Sequence, residues 1–276
     1  GMKKTRSAAA PFGVWMTLFT LVPLGIVLWF AFTDKEGRFT VQNLSAILDY
    51  AGTFGLSIGL GAVATVVCLL LAYPLAYSIS RSGERVQRTM VMIIMLPMWM
   101  NFLLRTYAWM TLLEDNGLIN QFFRLLGLLG PEESLHMINT NGAVVLGMVY
   151  NFLPFMVLPI FSVIEKLDHR LIEAAQDLGA NSTQVFRRVI FPLSLPGVLS
   201  GVTMVFIPSV STFVISRLLG GGKSLLLGDL IEMQFLGSAY NPHLGSAISL
   251  VMMVIVLVSM GIMNRFGEGE GEAVVL

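Results

Sequence analysis

"EAAQDLGANSTQVFRRVIFP", residues 173–192, is among the most water-compatible passages of a 276-residue chain that is 55% hydrophobic and only 12% charged. It reads as two short helices hinged at a glycine. Asp168 is placed to cap a first helix from about His169 to Leu178, and Gly179 stands where a left-handed C-terminal turn belongs. Ser182 is placed to cap a second helix through "TQVFRRVI", and Pro192 disturbs its continuation. A helix pair this short, exposing Glu173, Gln176 and Asp177, is marginal on intrinsic propensity alone. A docking partner accounts for it better than solvation does.

The surroundings of this module are apolar. Ordinary soluble domains carry about 25% charged residues, twice the share found here, so the chain is expected to be an all-α integral membrane protein. Runs long enough to span, about 20 residues for a core of about 30 Å, lie at 12–32, 54–80, 89–113, 142–164, 198–217 and 245–266, giving six expected spans. The first follows Lys3, Lys4 and Arg6. Its apolar stretch exceeds the roughly 7–15 residues of a signal-peptide core, and no small-residue cleavage site follows "LWFAFTDKEG", so it is read as a retained span.

Lys and Arg set the orientation, because basic loops translocate poorly. Eleven of them fall in the N-terminus, the 81–88 loop, the 165–197 loop and the C-terminus, against six on the opposite side. The N-terminal segment 1–11, the module 173–192 within loop 165–197, and the tail 267–276 are therefore expected to be cytoplasmic. The formal net charge is zero, so no basic face invites nucleic acid. One cysteine, Cys68, excludes an intrachain disulfide.

The third span holds the densest polar and aromatic cluster, "LPMWMNFLLRTYAWMTLL", residues 96–113. Arg105 lies about 24 Å along that helix at about 1.5 Å per residue, which places it near the outer interface, where it can snorkel. Trp99 and Asn101 sit about two turns deeper and are candidates for lining a pathway, as is Tyr107; Tyr107 and Trp109 also fit the depth of an aromatic belt. Gly55-x-x-x-Gly59 in the second span has the small-residue spacing that lets helices approach. Outside the spans, "NGLINQFFRLLGLLG" and "SLLLGDLIEMQFL" are too short to cross and read as interfacial or re-entrant helices. In the second of these Asp229 and Glu232 share a face, placed either to hold an amine or as solvated surface acids.

Several motifs fail on inspection. "GGGKS", residues 220–224, ends like a phosphate-binding loop, but Arg217 stands where the first glycine is required and a membrane span precedes it. His136, His169 and His243 are far apart, so no metal site is expected. No nucleophile elbow or paired-acid motif is present, and no catalysis is expected of this chain.

The opening stretch carries a resemblance. Glu173-Ala174-Ala175, three residues, Gly179, nine residues and then Val189-Ile190-Phe191-Pro192 resembles the EAA loop of the membrane subunits of ABC importers, with Val and Phe in place of the usual Ile and Leu. The resemblance extends over essentially the whole chain to the spermidine/putrescine permeases of the B type, through "FTVQNLSAIL" (39–48), the 96–113 cluster, "LPFMVLPIFSVIEKLD" (153–168) and "GGGKSLLLGDLIEMQFL" (220–236). It implies a six-span permease domain over 12–266 with the type I importer (MetI-like) fold. Loop 165–197 would be the coupling element, with Glu173, Ala174, Ala175, Asp177 and Gly179 meeting an ATPase. The implied partners are two copies of that ATPase, which binds the ATP and Mg, a second related permease, and an extracytoplasmic binding protein. This chain would hold no cofactor or metal itself and would sit in a bacterial inner membrane, surrounded by lipid. The implied cargo is a polyamine, passing Trp99, Asn101, Tyr107, Asp229 and Glu232; each cation–π contact contributes about 0.5 to 2 kcal/mol. Another small organic solute is the alternative cargo, and an ion-coupled secondary transporter the alternative class, for which midplane charges and internal repeats would be expected.

Overall fold

Proline and small residues, rather than polar ones, shape the helices of this chain. The computed structural model describes residues 11–271, so the N-terminal residues 1–10 and the last residues 272–276, expected to be cytoplasmic, lie outside it. Among the described residues the helices are α1 (Pro11–Ala31), α2 (Ala51–Ser80), α3 (Glu84–Met95), α4 (Phe102–Leu113), α5 (Leu118–Leu125) and α6 (Asn141–Glu165). They continue as α7 (His169–Asp177), α8 (Ser182–Ser211), α9 (Val214–Gly220), α10 (Leu227–Leu236) and α11 (Pro242–Gly271). One isolated bridge, Thr33 to Phe39, is the extended pairing found among these residues. Helices satisfy their own backbone groups, which lipid cannot do for them.

Five of the helices are long and apolar enough to cross a membrane, and a sixth crossing requires the pair joined at residues 99–102, which is bent by 90°. This bend interrupts the stretch read from sequence as one continuous third span. Pro97 lies in a tight 3-10 turn, Leu96–Trp99, and Asn101 then caps α4 by accepting from Leu103 N at 2.8 Å and from Leu104 N. The break is a proline followed by a new cap, and both are polar or conformational signals hidden in an apolar run.

The chain divides into two compact units. The first comprises residues up to Phe54 together with Leu230–Leu257. Within it His243 anchors α11 to the end of α1: its ring meets Phe30 edge-on at 5.1 Å, and its Nδ1 lies 3.1 Å from the Phe30 carbonyl. Asn43 closes the turn after α1 by donating to the carbonyls of Ala31 and Thr33.

The second unit, Gly55–Asp229 with Val258 onward, carries the main core. In α2 the buried face is Ala64, Cys68, Ala72 and Ala76, four residues apart, while Val63, Val66, Leu70 and Leu71 point outward. Small residues inside and large ones outside is the arrangement expected where lipid is as apolar as leucine and helices associate by close approach. Gly61 belongs to this face, since a Cβ there would meet Val210 at 2.8 Å. Gly55 and Gly59, expected to form the contact stripe, face open space instead. The stripe is displaced because α2 offers several rows of small residues, and the partner, α8, selects among them.

Helix α6 packs along α8 over most of its length. A Cβ on Gly197 would stand 2.8 Å from the Pro159 carbonyl oxygen, so the two backbones touch beside this proline of α6. Val144, Met148, Met156 and Ile160 fill the remainder and are fully buried.

Candidate functional site

The module at 168–192 is built from local signals. Asp168 caps α7, its Oδ1 accepting from Arg170 N at 3.0 Å. Helix α7 closes with Gly179 N donating to Gln176 O and Ala180 N to Ala175 O, at 2.8 and 3.0 Å, while Gly179 takes φ +84°. That left-handed conformation favours glycine, and the chain there turns into the second helix.

The cap of the second helix is Asn181, not the expected Ser182. Asn181 Oδ1 accepts from Gln184 N, and Gln184 Oε1 accepts in return from Asn181 N, both at 2.9 Å. This reciprocal box satisfies two otherwise orphaned donors, where serine one residue later would satisfy one. The start of α8 then runs through a π turn, Phe186–Ile190, before the long straight segment.

One face of the module is built inward and the other outward. Ile172, Val185 and Ile190 are buried, whereas Glu173, Ala174, Asp177 and Gly179 are exposed and Ala175 is half-buried. Leu178 is 89% exposed, an apolar side chain that nothing among the described residues covers. A groove of about 640 Å³ lined by Ala175, Leu178, Gly179, Gln184 and Arg188 runs beside it. The groove can receive an apolar and acidic surface; it has no arrangement for bond making or breaking.

Residues that sequence reasoning did not single out hold the module to the membrane part. The Phe186 ring meets Tyr73 at 5.8 Å and Tyr77 at 5.4 Å, both edge-on. Tyr73 also hydrogen-bonds Ser194 at 2.7 Å, and Ser194 donates to Phe191 O. The available signal was periodicity: Phe186 and Ile190 are four apart and so share a face of α8.

Each of the pathway candidates has surroundings of its own. Trp99 is 74% exposed at the end of the 3-10 turn, and Tyr107 is half exposed on α4. Asn101 spends its carboxamide oxygen on capping α4. Asp229 is buried: its Oδ2 accepts from Ser216 Oγ at 2.5 Å and from Leu226 N at 3.1 Å. Glu232, three residues on, is half-buried. Asp229 is thus not a solvated surface acid, and Asn101 and Asp229 each bond to neighbours of their own. Arg105, expected to snorkel, is buried at 8% exposure.

Comparison with known proteins accords with this arrangement. A family model described as "Binding-protein-dependent transport system inner membrane component" matches residues 68–268. The spermidine/putrescine transport system permease protein PotB of Haemophilus influenzae is 38% identical over 249 residues, covering 87% of this chain and 86% of that protein. PotB of Escherichia coli K12 is 35% identical over 257 residues, covering 90% of this chain and 91% of its own length. Among solved structures, a bacterial ABC transporter that imports alginate shares the fold at TM-score 0.81 with 16% identity, covering 96% of this chain and 94% of that one. The MetNI methionine ABC transporter, inward facing, aligns at TM-score 0.57 with 17% identity, covering 80% of this chain and 95% of that one. The chain therefore belongs to the binding-protein-dependent transport system inner membrane component family and is a multi-pass permease of the ABC importer class.

Proposed function

We propose that this permease moves polyamines of the spermidine/putrescine class across a bacterial inner membrane, both termini facing the cytoplasm. The observation that carries the cargo is the 35–38% identity to PotB proteins over nearly the full length of both chains. Energy comes from a separate ATPase, two copies of which hold the ATP and Mg. A second related permease completes the membrane part. Support for a binding protein comes from the alginate transporter, solved in complex with an alginate pentasaccharide-bound periplasmic protein.

Each element of this chain then has a task. The exposed Glu173, Ala174, Ala175, Asp177 and Gly179 seat in the ATPase, with Leu178 as an apolar anchor. Closure of the ATPase pushes the module, the ring cluster of Phe186, Tyr73 and Tyr77 carries the push to α2, and the α6–α8 packing carries it along both helices. Trp99 and Tyr107, being exposed, suit cation–π contact with a substrate ammonium, with Asn101 beside them; Glu232 offers a carboxylate of its own. Asp229 serves by holding the turn before α10.

The test is ATP-dependent uptake by the four-component importer in proteoliposomes. Labelled spermidine should accumulate and be displaced by putrescine. Accumulation of a neutral or anionic solute that spermidine does not compete with would overturn the cargo.

A further inference from the structure

Arg105 sits in the second unit with a charge that its surroundings do not answer. Its Nε and Nη1 are shut away from solvent and have no hydrogen-bond partner among the described residues, and it enters neither of the ion pairs found there. The Phe102 ring lies 6.0 Å from the guanidinium carbon, at the outer limit of a cation–π contact. Two guanidinium nitrogens shut away without an acceptor are unfavourable and demand an explanation.

Acceptors in the same condition lie on the helix packed beside it. Trp109, one turn from Arg105 on α4, meets Tyr150 of α6 at 5.3 Å. One turn past Tyr150 is Pro154, which has no N–H, so the Tyr150 carbonyl has lost its helical donor. Helix carbonyls point toward the C-terminus. Trp109 meets Tyr150, and Asp115, just past the C-terminal end of α4, meets His136, just before the N-terminal end of α6, so the two helices run in opposite senses and that carbonyl is directed at the level of Arg105. The next residue, Asn151, is 2% exposed; its Nδ2 donates to Gly147 O at 2.9 Å, and its Oδ1 is buried with no partner among the described residues. The other buried charge of this unit, Asp229, is held by Ser216 and Leu226.

We infer that Arg105 is a positioning residue that latches α4 to the proline-containing helix α6 in one state of the transport cycle, donating there to Tyr150 O and Asn151 Oδ1, and is released in the conformation of this structure. Helix α6 is suited to such a role because it leads directly into the coupling loop, where Ile164 and Ile172 join one buried cluster. A push on the module reaches the two prolines of α6, where the helix is missing hydrogen bonds and yields most easily, and the yielding decides whether the freed acceptors meet Arg105. The latch rests on the importer reading above and makes one state of that importer depend on one side chain.

The experiment uses the complete importer, reconstituted with its ATPase, sister permease and binding protein, and compares Arg105→Gln, Arg105→Lys and Asn151→Leu with the parent. Spermidine uptake should fall about tenfold in Arg105→Gln and Asn151→Leu, the size of one charge-assisted hydrogen bond lost in a single state. KM should be unchanged, Arg105→Lys should restore part of the rate, and the double variant should be no worse than either single one. Melting temperature, measured without nucleotide and again in the ATP–vanadate-trapped complex, should drop in one state and not in the other. Parental uptake in Arg105→Gln, or equal drops in both states, would overturn the latch and make Arg105 an ordinary anchor. If Arg105→Gln does not assemble, Asn151→Leu carries the same comparison. Failure of the parent itself to transport spermidine would sink the polyamine reading alone, because the melting comparison requires no cargo.

Discussion

Ser216 Oγ lies 2.5 Å from Asp229 Oδ2, and the same carboxylate oxygen accepts from Leu226 N at 3.1 Å, so one buried acid ties α9 to the start of α10. Removing the carboxylate leaves a hydroxyl and a backbone N–H stranded in the interior. Hydrogen bonds to charged groups contribute about 1.5–3 kcal/mol each, so Asp229→Ala should lower the melting temperature of the detergent-solubilised permease markedly. Asp229→Asn, which keeps an acceptor, should lower it less. Uptake should fall with the folded fraction while KM for spermidine stays constant. A raised KM at unchanged melting temperature would instead make Asp229 a substrate contact.

The box between Asn181 and Gln184 predicts a defect confined to the module. Asn181→Ala removes the acceptor for Gln184 N, and loss of such a cap costs about 1 kcal/mol. The start of α8 then frays at the proposed ATPase-docking surface, so the dissociation constant of the ATPase should rise about fivefold. Melting of the membrane part should barely change. Asn181→Asp, which preserves the cap, should bind as the parent does in a titration of ATPase onto nanodisc-held permease.

Phe186 predicts uncoupling rather than dissociation. Its ring touches Tyr73, Tyr77 and Phe191 and does not line the exposed groove. Phe186→Ala should leave ATPase binding intact and ATP hydrolysis close to parental, while solute moved per ATP falls severalfold. Phe186→Tyr, which keeps the aromatic face, should retain most of the coupling. Simultaneous measurement of phosphate release and uptake gives the ratio directly.

The features legible in the sequence were those set by neighbours along the chain. Asp168, Gly179 and the hinge between two short helices follow from capping and φ preferences that act within a few residues. The cap expected at Ser182 falls instead on Asn181, because Gln184 stands three residues beyond Asn181 and closes the reciprocal box with it. The bend at Pro97–Asn101 was masked by apolar composition, which is nearly the same for a straight span and a broken one. What could not be read was burial that depends on distant partners. Arg105 and Asp229 look like interfacial charges in a linear reading, and only the packing of α4, α6 and α9 takes them out of water. The same holds for Gly61, which Val210 makes the contact glycine of α2 in place of Gly55 and Gly59.

Gly179 separates two reasons for a glycine in the module. Its φ is +84°, while a Cβ built on it would meet nothing within 4 Å in this chain. Within the permease, then, the cost of a side chain is backbone strain, about 1–2 kcal/mol for an L-residue in the left-handed region and less for asparagine. If conformation is what matters, ATPase binding should weaken in the order Gly179→Asn, Gly179→Ala, Gly179→Val, with the asparagine variant close to the parent. If the ATPase instead presses against the glycine, size governs, and Gly179→Asn should bind worse than Gly179→Ala. The groove beside Gly179 is open and bordered by Leu178 and Arg188, which leaves room for a short polar side chain. The conformational order is therefore the expected one, and affinity measurements on the three variants decide it.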